Sequence, residues 1–323
     1  MLMPTSWNCP SPEVRLAIPI DTPAAARGAA PQKHPLAAHN TSLLQPARFS
    51  PRPYFHPMRS KAGVVVTGAE PADHPHHLGL SIAFSDVNGT NFWGGSTYTA
   101  TNGPMQLPNH GKQVPHGWQS PSQEGGEEHS EEESGRVSWL TEGGRDLAVE
   151  HRRIQYFSNA GPSSWALSLS SMIVPAVGVQ RLEVSSSAVK GRKGAGYGGI
   201  FWRFPEAARE PLVLSEAGSG AGPAHGSGSR WLSIGMVIDA SPVTVILAQD
   251  AGHILPWFVR AEGYLGAGPA VAWAKPATVD HHNPLKLALH AVIHDGHVHT
   301  PAHALELLDQ HPLINPGSPD RTP

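Results

Sequence analysis

The stretch ALSLSSMIV, residues 166–174, alternates apolar and polar side chains with period two. That is the pattern of an antiparallel strand with one face in a core and the other turned outward. Runs of the same kind surround it. Upstream lie GVVVT (63–67), GLSIAF (79–84), NFWGG (91–95), 136–140 and 147–157. Downstream lie 179–189, 199–203, 231–238, 243–248, 255–260, 269–273 and 285–294. Gly, Pro, Asn or Asp closes most of them, and Asn88-Gly89 has the two residues that tolerate the positive φ of a type I′ hairpin turn. A helical pattern stands out only at AHALELLDQ (302–310), with Thr300 as cap and Pro301 in the first turn. A dozen short strands against one helix predict an all-β fold, a large antiparallel β-sandwich with few short helices.

Composition bounds the function. The 323 residues suffice for a sizeable core without metal or disulfide staples. Gly and Pro make up about a fifth of the chain, below the level of a low-complexity protein. Charged residues are 15% and the formal net charge is -3, so no basic field exists to hold a nucleic-acid backbone. Cys9 is the single cysteine, which excludes internal disulfides and thiolate-rich zinc sites. The first residues show no basic and apolar leader, and no apolar run reaches membrane-spanning length, so a cytoplasmic protein with neither membrane nor nucleic-acid partner is expected. The unusual feature is 20 histidines.

Three regions divide the chain: a Pro- and Ala-rich, irregular N-terminal arm (1–50) with one strand-like piece at 14–20, the sandwich domain (51–311), and a disordered tail (312–323). Within the domain, the Glu-rich segment 123–135 reads as a solvated loop and the Gly/Ser-rich segment 218–229 as a flexible one.

Two motifs concentrate chemistry. In RPYFHP (52–57), an extended backbone between prolines puts Tyr54 and His56 on one face. In DHPHHLG (73–79), Pro75 forbids a helix, and an extended chain points His74 and His76 one way and Asp73 and His77 the other. Three imidazoles in four residues admit three readings. His56, His74, His76 and His77 bind a divalent metal such as zinc, iron or copper, completed by a carboxylate. Alternatively His74 or His76, oriented by Asp73, is a general acid or base. Otherwise the run is a polar turn. His110 and His225 each precede glycine in loops, where backbone can approach a ligand closely, or they are surface turns. Tyr197, Arg203, Trp257 and Arg260 lie in GAGYGGIFWR (194–203) and PWFVRAE (256–262). These arginines serve a structural ion pair or a polar substrate, and Trp93, Trp202 and Trp257 serve the core or stack on sugar rings.

The order RPYFHP, DHPHHLG to NFWGG, Asn109-His110-Gly111, GAGYGGIFWR and PWFVRAE resembles the soluble bacterial family labelled methane oxygenase PmoA, over about residues 50–300. The resemblance implies a supersandwich similar to galactose mutarotase, a role in bacterial, actinobacterial-style carbohydrate catabolism, and a label that is a misnomer, since the membrane enzyme so named is built of transmembrane helices.

The expected function is a carbohydrate-active enzyme, a hydrolase, lyase or epimerase acting on a small sugar or glycoside. His74, His76 and Asp73 are the proton-transfer candidates, and Tyr54, His110, Tyr197, Arg203, His225, Trp257 and Arg260 the substrate contacts. A non-catalytic sugar-binding sandwich and a metal-dependent oxygenase are the alternatives.

Overall fold

The computed structural model describes residues 33–34, 36–119, 130–158 and 160–314. The expectations for the chain before residue 33, including the strand at 14–20, for 120–129 of the Glu-rich segment, and for the tail beyond 314 lie outside the described residues. Among those described, two antiparallel sheets form a sandwich. The smaller runs in spatial order Lys33–His34, Ala37–Asn40, Tyr54–Met58, Leu80–Phe84, Gly198–Arg203, Gly266–Pro269 and Trp257–Arg260. The larger runs Gly218–Ser219, Arg209–Ser215, Trp231–Ile238, Ser241–Ala248, Leu285–Asp295, Ser164–Pro175, Asp146–Phe157, Ser130–Leu140 and Lys112–Gln119. The helices are short, Ala221–Ala224 and Pro301–Leu308, and no described helix is long and apolar enough to cross a membrane.

Period-two alternation builds the layers. Along Ser164–Pro175, Leu167, Leu169 and Ile173 enter the inter-sheet core, where Ile82, Ile200, Trp202 and Trp257 of the smaller sheet meet them. Ala166 faces the other way and packs under Ala304, Leu307 and Leu308 of the terminal helix. That helix starts where expected, the Thr300 hydroxyl accepting from the His303 amide with Pro301 in the first turn.

Several expectations are corrected. Residues 37–40 are a paired strand of the smaller sheet, so the boundary at residue 50 cuts through the domain. The Glu-rich stretch is strand from Ser130 onward: Glu132 pairs with Arg153, and Glu133 is buried against His39 and Tyr156, so neighbours satisfy these carboxylates in place of water. The Gly/Ser-rich segment carries the strand Gly218–Ser219 and the helix Ala221–Ala224. GVVVT makes only an isolated bridge between Arg59 and Val65. NFWGG is a turn: Asn91 Oδ1 accepts from the amides of Trp93 and Gly94, and Gly94 and Gly95 take φ of 95° and 68°. The Asn88-Gly89 turn holds, with φ of 49° and 83°.

Trp257 is also a correction. It is fully buried in the inter-sheet core and donates its indole N–H to the Ser229 carbonyl at 2.7 Å, so it is a core residue with no exposed face. Replacing it should therefore behave as a core truncation: Trp257→Ala is expected to lower unfolding free energy by roughly 3–5 kcal/mol in urea titration. A loss below about 1 kcal/mol would mean that the indole is not part of the core.

Candidate functional site

The site stands on the outer face of the smaller sheet, and strand parity decides what it presents. On Gly198–Arg203, Ile200 and Trp202 point into the inter-sheet core while Phe201 joins a separate outer cluster. On Leu80–Phe84, Leu80, Ile82 and Phe84 are core and Ala83 faces outward. On Trp257–Arg260, Trp257 and Val259 are core and Phe258 faces outward. Trp93, Tyr197, Tyr264 and Trp273 pack on this outer cluster. Loops beside it border an open cavity of about 690 Å³, the size of a small-molecule site. A second cavity of about 610 Å³, against the inter-sheet core at Ile200 and Leu287, holds none of the residues singled out from the sequence.

One wall of the outer cavity is the 73–79 segment, which is not extended. The His74 amide donates to the Pro71 carbonyl at 3.0 Å and the His77 amide to the His74 carbonyl at 2.9 Å, making successive turns with Pro75 at the second position of the latter. The turns gather the imidazoles that an extended chain would separate. Ring centroids lie 4.8 Å apart for His74 and His77, 4.8 Å for His76 and His77, and 5.8 Å for His74 and His76. Asp73 Oδ2 accepts from His74 Nδ1 at 2.7 Å, which leaves Nε2 of His74 uncommitted.

Buried Arg52 anchors this wall. Its guanidinium donates to the His76 carbonyl at 2.9 Å, the Trp93 carbonyl at 3.1 Å, the Ser50 carbonyl at 3.2 Å and the Ser81 hydroxyl at 3.2 Å. No carboxylate pairs with it among the described residues. The His76 imidazole lies against Gly94 and Gly95: a Cβ on Gly94 would come within 2.7 Å of His76 Cβ, and one on Gly95 within 2.8 Å of His76 Cε1. Both glycines also have φ in the left-handed region, so conformation and space exclude a side chain alike.

Electrostatics separate the three imidazoles. Burial, then the charge of Arg52, pushes His76 down to about 3. Burial, the neighbouring imidazoles and the charges of Arg203 and Arg52 push His77 down further, and its Nδ1 has no hydrogen-bond partner among the described residues. Both are neutral at physiological pH. The hydrogen bond from His74 holds Asp73 below the usual carboxylate range. Tyr264 lies between two guanidiniums, Arg203 at 4.6 Å and Arg260 at 4.8 Å from its ring centre, and burial pushes its phenol up to about 12. His225 Nδ1 accepts from the Val259 amide at 3.2 Å, so the neutral ring carries its proton on Nε2.

Of the residues expected from sequence, Asp73, His74, His76, His77, Tyr197, His225 and Arg260 line the cavity. Tyr54, His56, His110, Arg203 and Trp257 do not. His56 Nδ1 bonds the Thr67 hydroxyl at 3.0 Å, and Tyr54 is half-buried beside Gln45 and Glu70. His110 Nε2 bonds the Gly95 carbonyl at 2.7 Å, bracing the turn under His76. Arg203 lies behind Tyr264 and donates to the Leu265 carbonyl at 3.1 Å. The four-histidine metal set is therefore not assembled, because His56 is engaged elsewhere and the other rings pack on one another. Among the described residues no three His, Cys, Asp or Glu are placed to hold a metal ion. Arg192, Lys193, Phe258, Glu262 and Tyr264 also line the cavity and were not anticipated. Parity betrays Phe258, and the glycines flanking Arg192-Lys193 betray an exposed cationic turn.

The depressed His76 pKa has a thermodynamic consequence. Unfolded, the imidazole titrates at its ordinary 6.5; folded, at about 3. Between these values the unfolded chain takes a proton that the folded chain excludes, so stability held above pH 6.5 falls as pH drops towards 3. Each pH unit there costs up to about 1.4 kcal/mol for that proton. Urea midpoints measured between about pH 7.5 and about pH 5 are expected to fall more steeply for the native chain than for His76→Gln. Parallel slopes would contradict the assignment.

A family model described as a family of unknown function, DUF6807, matches residues 32–309, which begins just ahead of the first strand of the smaller sheet and ends at the C-cap of the terminal helix. No curated protein shows significant similarity to the chain. Since the family model spans both sheets and every cavity-lining residue, the chain belongs to the DUF6807 family.

Proposed function

We propose that this chain is a cytoplasmic carbohydrate-active enzyme in which His74, oriented by Asp73, transfers a proton to or from a small sugar bound against the aromatic wall. The observation that carries the reading is the Asp73–His74 hydrogen bond of 2.7 Å on the wall of the cavity. Nδ1–H donates to an ionised carboxylate, which fixes the ring and leaves Nε2 as the nitrogen that exchanges a proton with the substrate. Neutral His76 and His77 serve as hydrogen-bonding neighbours, since their depressed affinity for protons removes them from acid–base work near neutrality. His225 offers an Nε2–H donor and Arg260 a guanidinium for hydroxyls or a carboxylate, and Trp93, Tyr197, Phe258 and Tyr264 provide ring-sized apolar surface.

Within this class, lyase or epimerase chemistry fits better than two-carboxylate hydrolysis. Asp73 and Glu262 are the carboxylates lining the cavity, and Asp73 is committed to His74. The identification with the group labelled methane oxygenase PmoA rests on the motif order, and we take no reaction step from that label. A non-catalytic sugar-binding sandwich is the second reading, favoured by the same aromatic wall.

The test is a panel of glycosides, keto-sugars and sugar acids assayed for conversion and for binding. His74→Ala is expected to lower turnover about 10²–10⁴-fold while sugar affinity stays within a few-fold, with Asp73→Asn intermediate. Unchanged turnover in His74→Ala would overturn the assignment of His74. Binding without conversion of any panel member would select the non-catalytic reading.

A further inference from the structure

We propose that the sugar taken by this cavity is an acid, a monosaccharide bearing a carboxylate or a phosphate whose anion is held by Arg192, Lys193 and Arg260. The inference rests on the reading of the cavity as a sugar site and specifies the class of sugar.

The charge distribution is the first argument. The chain as a whole is formally -3, yet Arg192, Lys193 and Arg260 all line this one cavity. Its carboxylates are Asp73, engaged by His74, and Glu262. None of the three cations forms an ion pair among the described residues. Behind the wall lie two further guanidiniums, Arg203 against Tyr264 and Arg52 beneath His76, neither hydrogen-bonded to a carboxylate. Three exposed cations thus face the cavity and two buried ones lie behind its wall, a concentration of positive charge that an anion would complement.

The loop carrying two of these cations is the second argument. Its backbone is closed on itself: Ala188 N–H to Ala195 C=O at 3.0 Å, Arg192 N–H to Ser187 C=O at 2.9 Å, and Ala195 N–H to Arg192 C=O at 3.0 Å. The loop also sorts its charges. Lys190 is tied to Asp86 in an ion pair, whereas Arg192 and Lys193 are left exposed at the cavity. Arg260, on the edge strand, is preorganised by its stack on Tyr264 and by Nε donation to the Glu262 carbonyl at 3.0 Å, which leaves its terminal N–H groups for a forked contact with carboxylate or phosphate oxygens. Tyr264, whose ring lies 5.3 Å from that of His74 and under the Arg260 guanidinium, belongs to the aromatic wall that takes the sugar ring. An anion alone would need no such wall, and a neutral sugar would need no such cations.

Calorimetric titration of the full chain at low salt distinguishes the outcomes. The probes are uronates, aldonates and hexose 6-phosphates, each with its neutral parent hexose, and inorganic phosphate and acetate as bare anions. At least one acid sugar is expected to bind about tenfold or more tightly than its neutral parent, with affinity falling as salt is added. Arg192→Gln combined with Lys193→Gln should weaken acid-sugar binding about tenfold and leave the neutral parent unaffected, and Arg260→Gln should weaken binding of the acid sugar more than that of its neutral parent. The preferred headgroup identifies carboxylate or phosphate. Equal affinity for acid and neutral sugars, unchanged in the variants, overturns the acid class and leaves the sugar reading standing. Bare anions binding as well as the sugar acids overturn the proposal and the sugar reading together while retaining an anion site. No binding by any probe overturns both.

Discussion

The guanidinium of Arg52 is solvated by the protein in place of water. A bare buried cation costs many kcal/mol, and here the cost is offset by carbonyl and hydroxyl oxygens drawn from separate segments of the chain, those of Ser50, Ser81, His76 and Trp93. Burial and the nearby charge of Arg152 lower its pKa to about 9, and it still remains a cation at neutral pH. Because those oxygens must stay pointed at one buried group, the segments bearing them cannot drift apart. The loop carrying the histidines and the loop carrying Trp93 are thereby fixed to each other and to the sheet. Arg152, gripped by Glu150 at 2.7 and 2.9 Å and bonded to Gln113 and the Pro53 carbonyl, performs the matching service from the larger sheet.

The same cation shapes the chemistry above it. After burial, its charge is the largest cause that lowers the His76 pKa, while His77 is held down by burial, the neighbouring imidazoles and Arg203, with Arg52 adding least, and of the clustered imidazoles only His74 has a carboxylate hydrogen-bonded beside it. Along the smaller sheet, stability and site chemistry alternate residue by residue. Ile200 and Trp202 hold the sheets together, and Phe201 between them belongs to the cavity wall. This interleaving lets the wall vary without disturbing the core, since adjacent side chains never share an environment.

That alternation is also why much of the fold was legible. The period-two run at 166–174 specified a strand and, with it, which residues enter the core. What a strand pattern leaves open is which face is which when both are apolar. In PWFVRAE both Trp257 and Phe258 are large and aromatic, and only the pairing of Trp257–Arg260 against Gly266–Pro269 assigns the tryptophan to the core and the phenylalanine to the cavity. The histidine cluster was legible as composition but not as geometry, because Pro75 is compatible with an extended chain and with a turn, and the hydrogen bonds that select the turn involve Pro71 and His74 carbonyls. His56, read on an extended segment, and His110, read in a loop, both stood out as histidines free to serve a site. Their partners, Thr67 and the Gly95 carbonyl, are distant in sequence and invisible to local pattern. Arg192 and Lys193 carried no local apolar signal at all, and their importance arises only from where the loop is placed.

Gly95 lies under the His76 ring and Gly94 against His76 Cβ and the Phe49 carbonyl, neither with room for a methyl group. The imidazole at 76 and the absence of side chains at 94 and 95 are accordingly one steric unit written in two distant parts of the chain. A side chain at Gly95 would strike the ring, whereas one at Gly94 would strike the Phe49 carbonyl and His76 Cβ, and the positive φ of both disfavours a side chain independently of the ring. In the DUF6807 family a histidine at 76 should therefore be accompanied by glycine at 95, and loss of that glycine marks members in which the histidine wall of the cavity has been rebuilt.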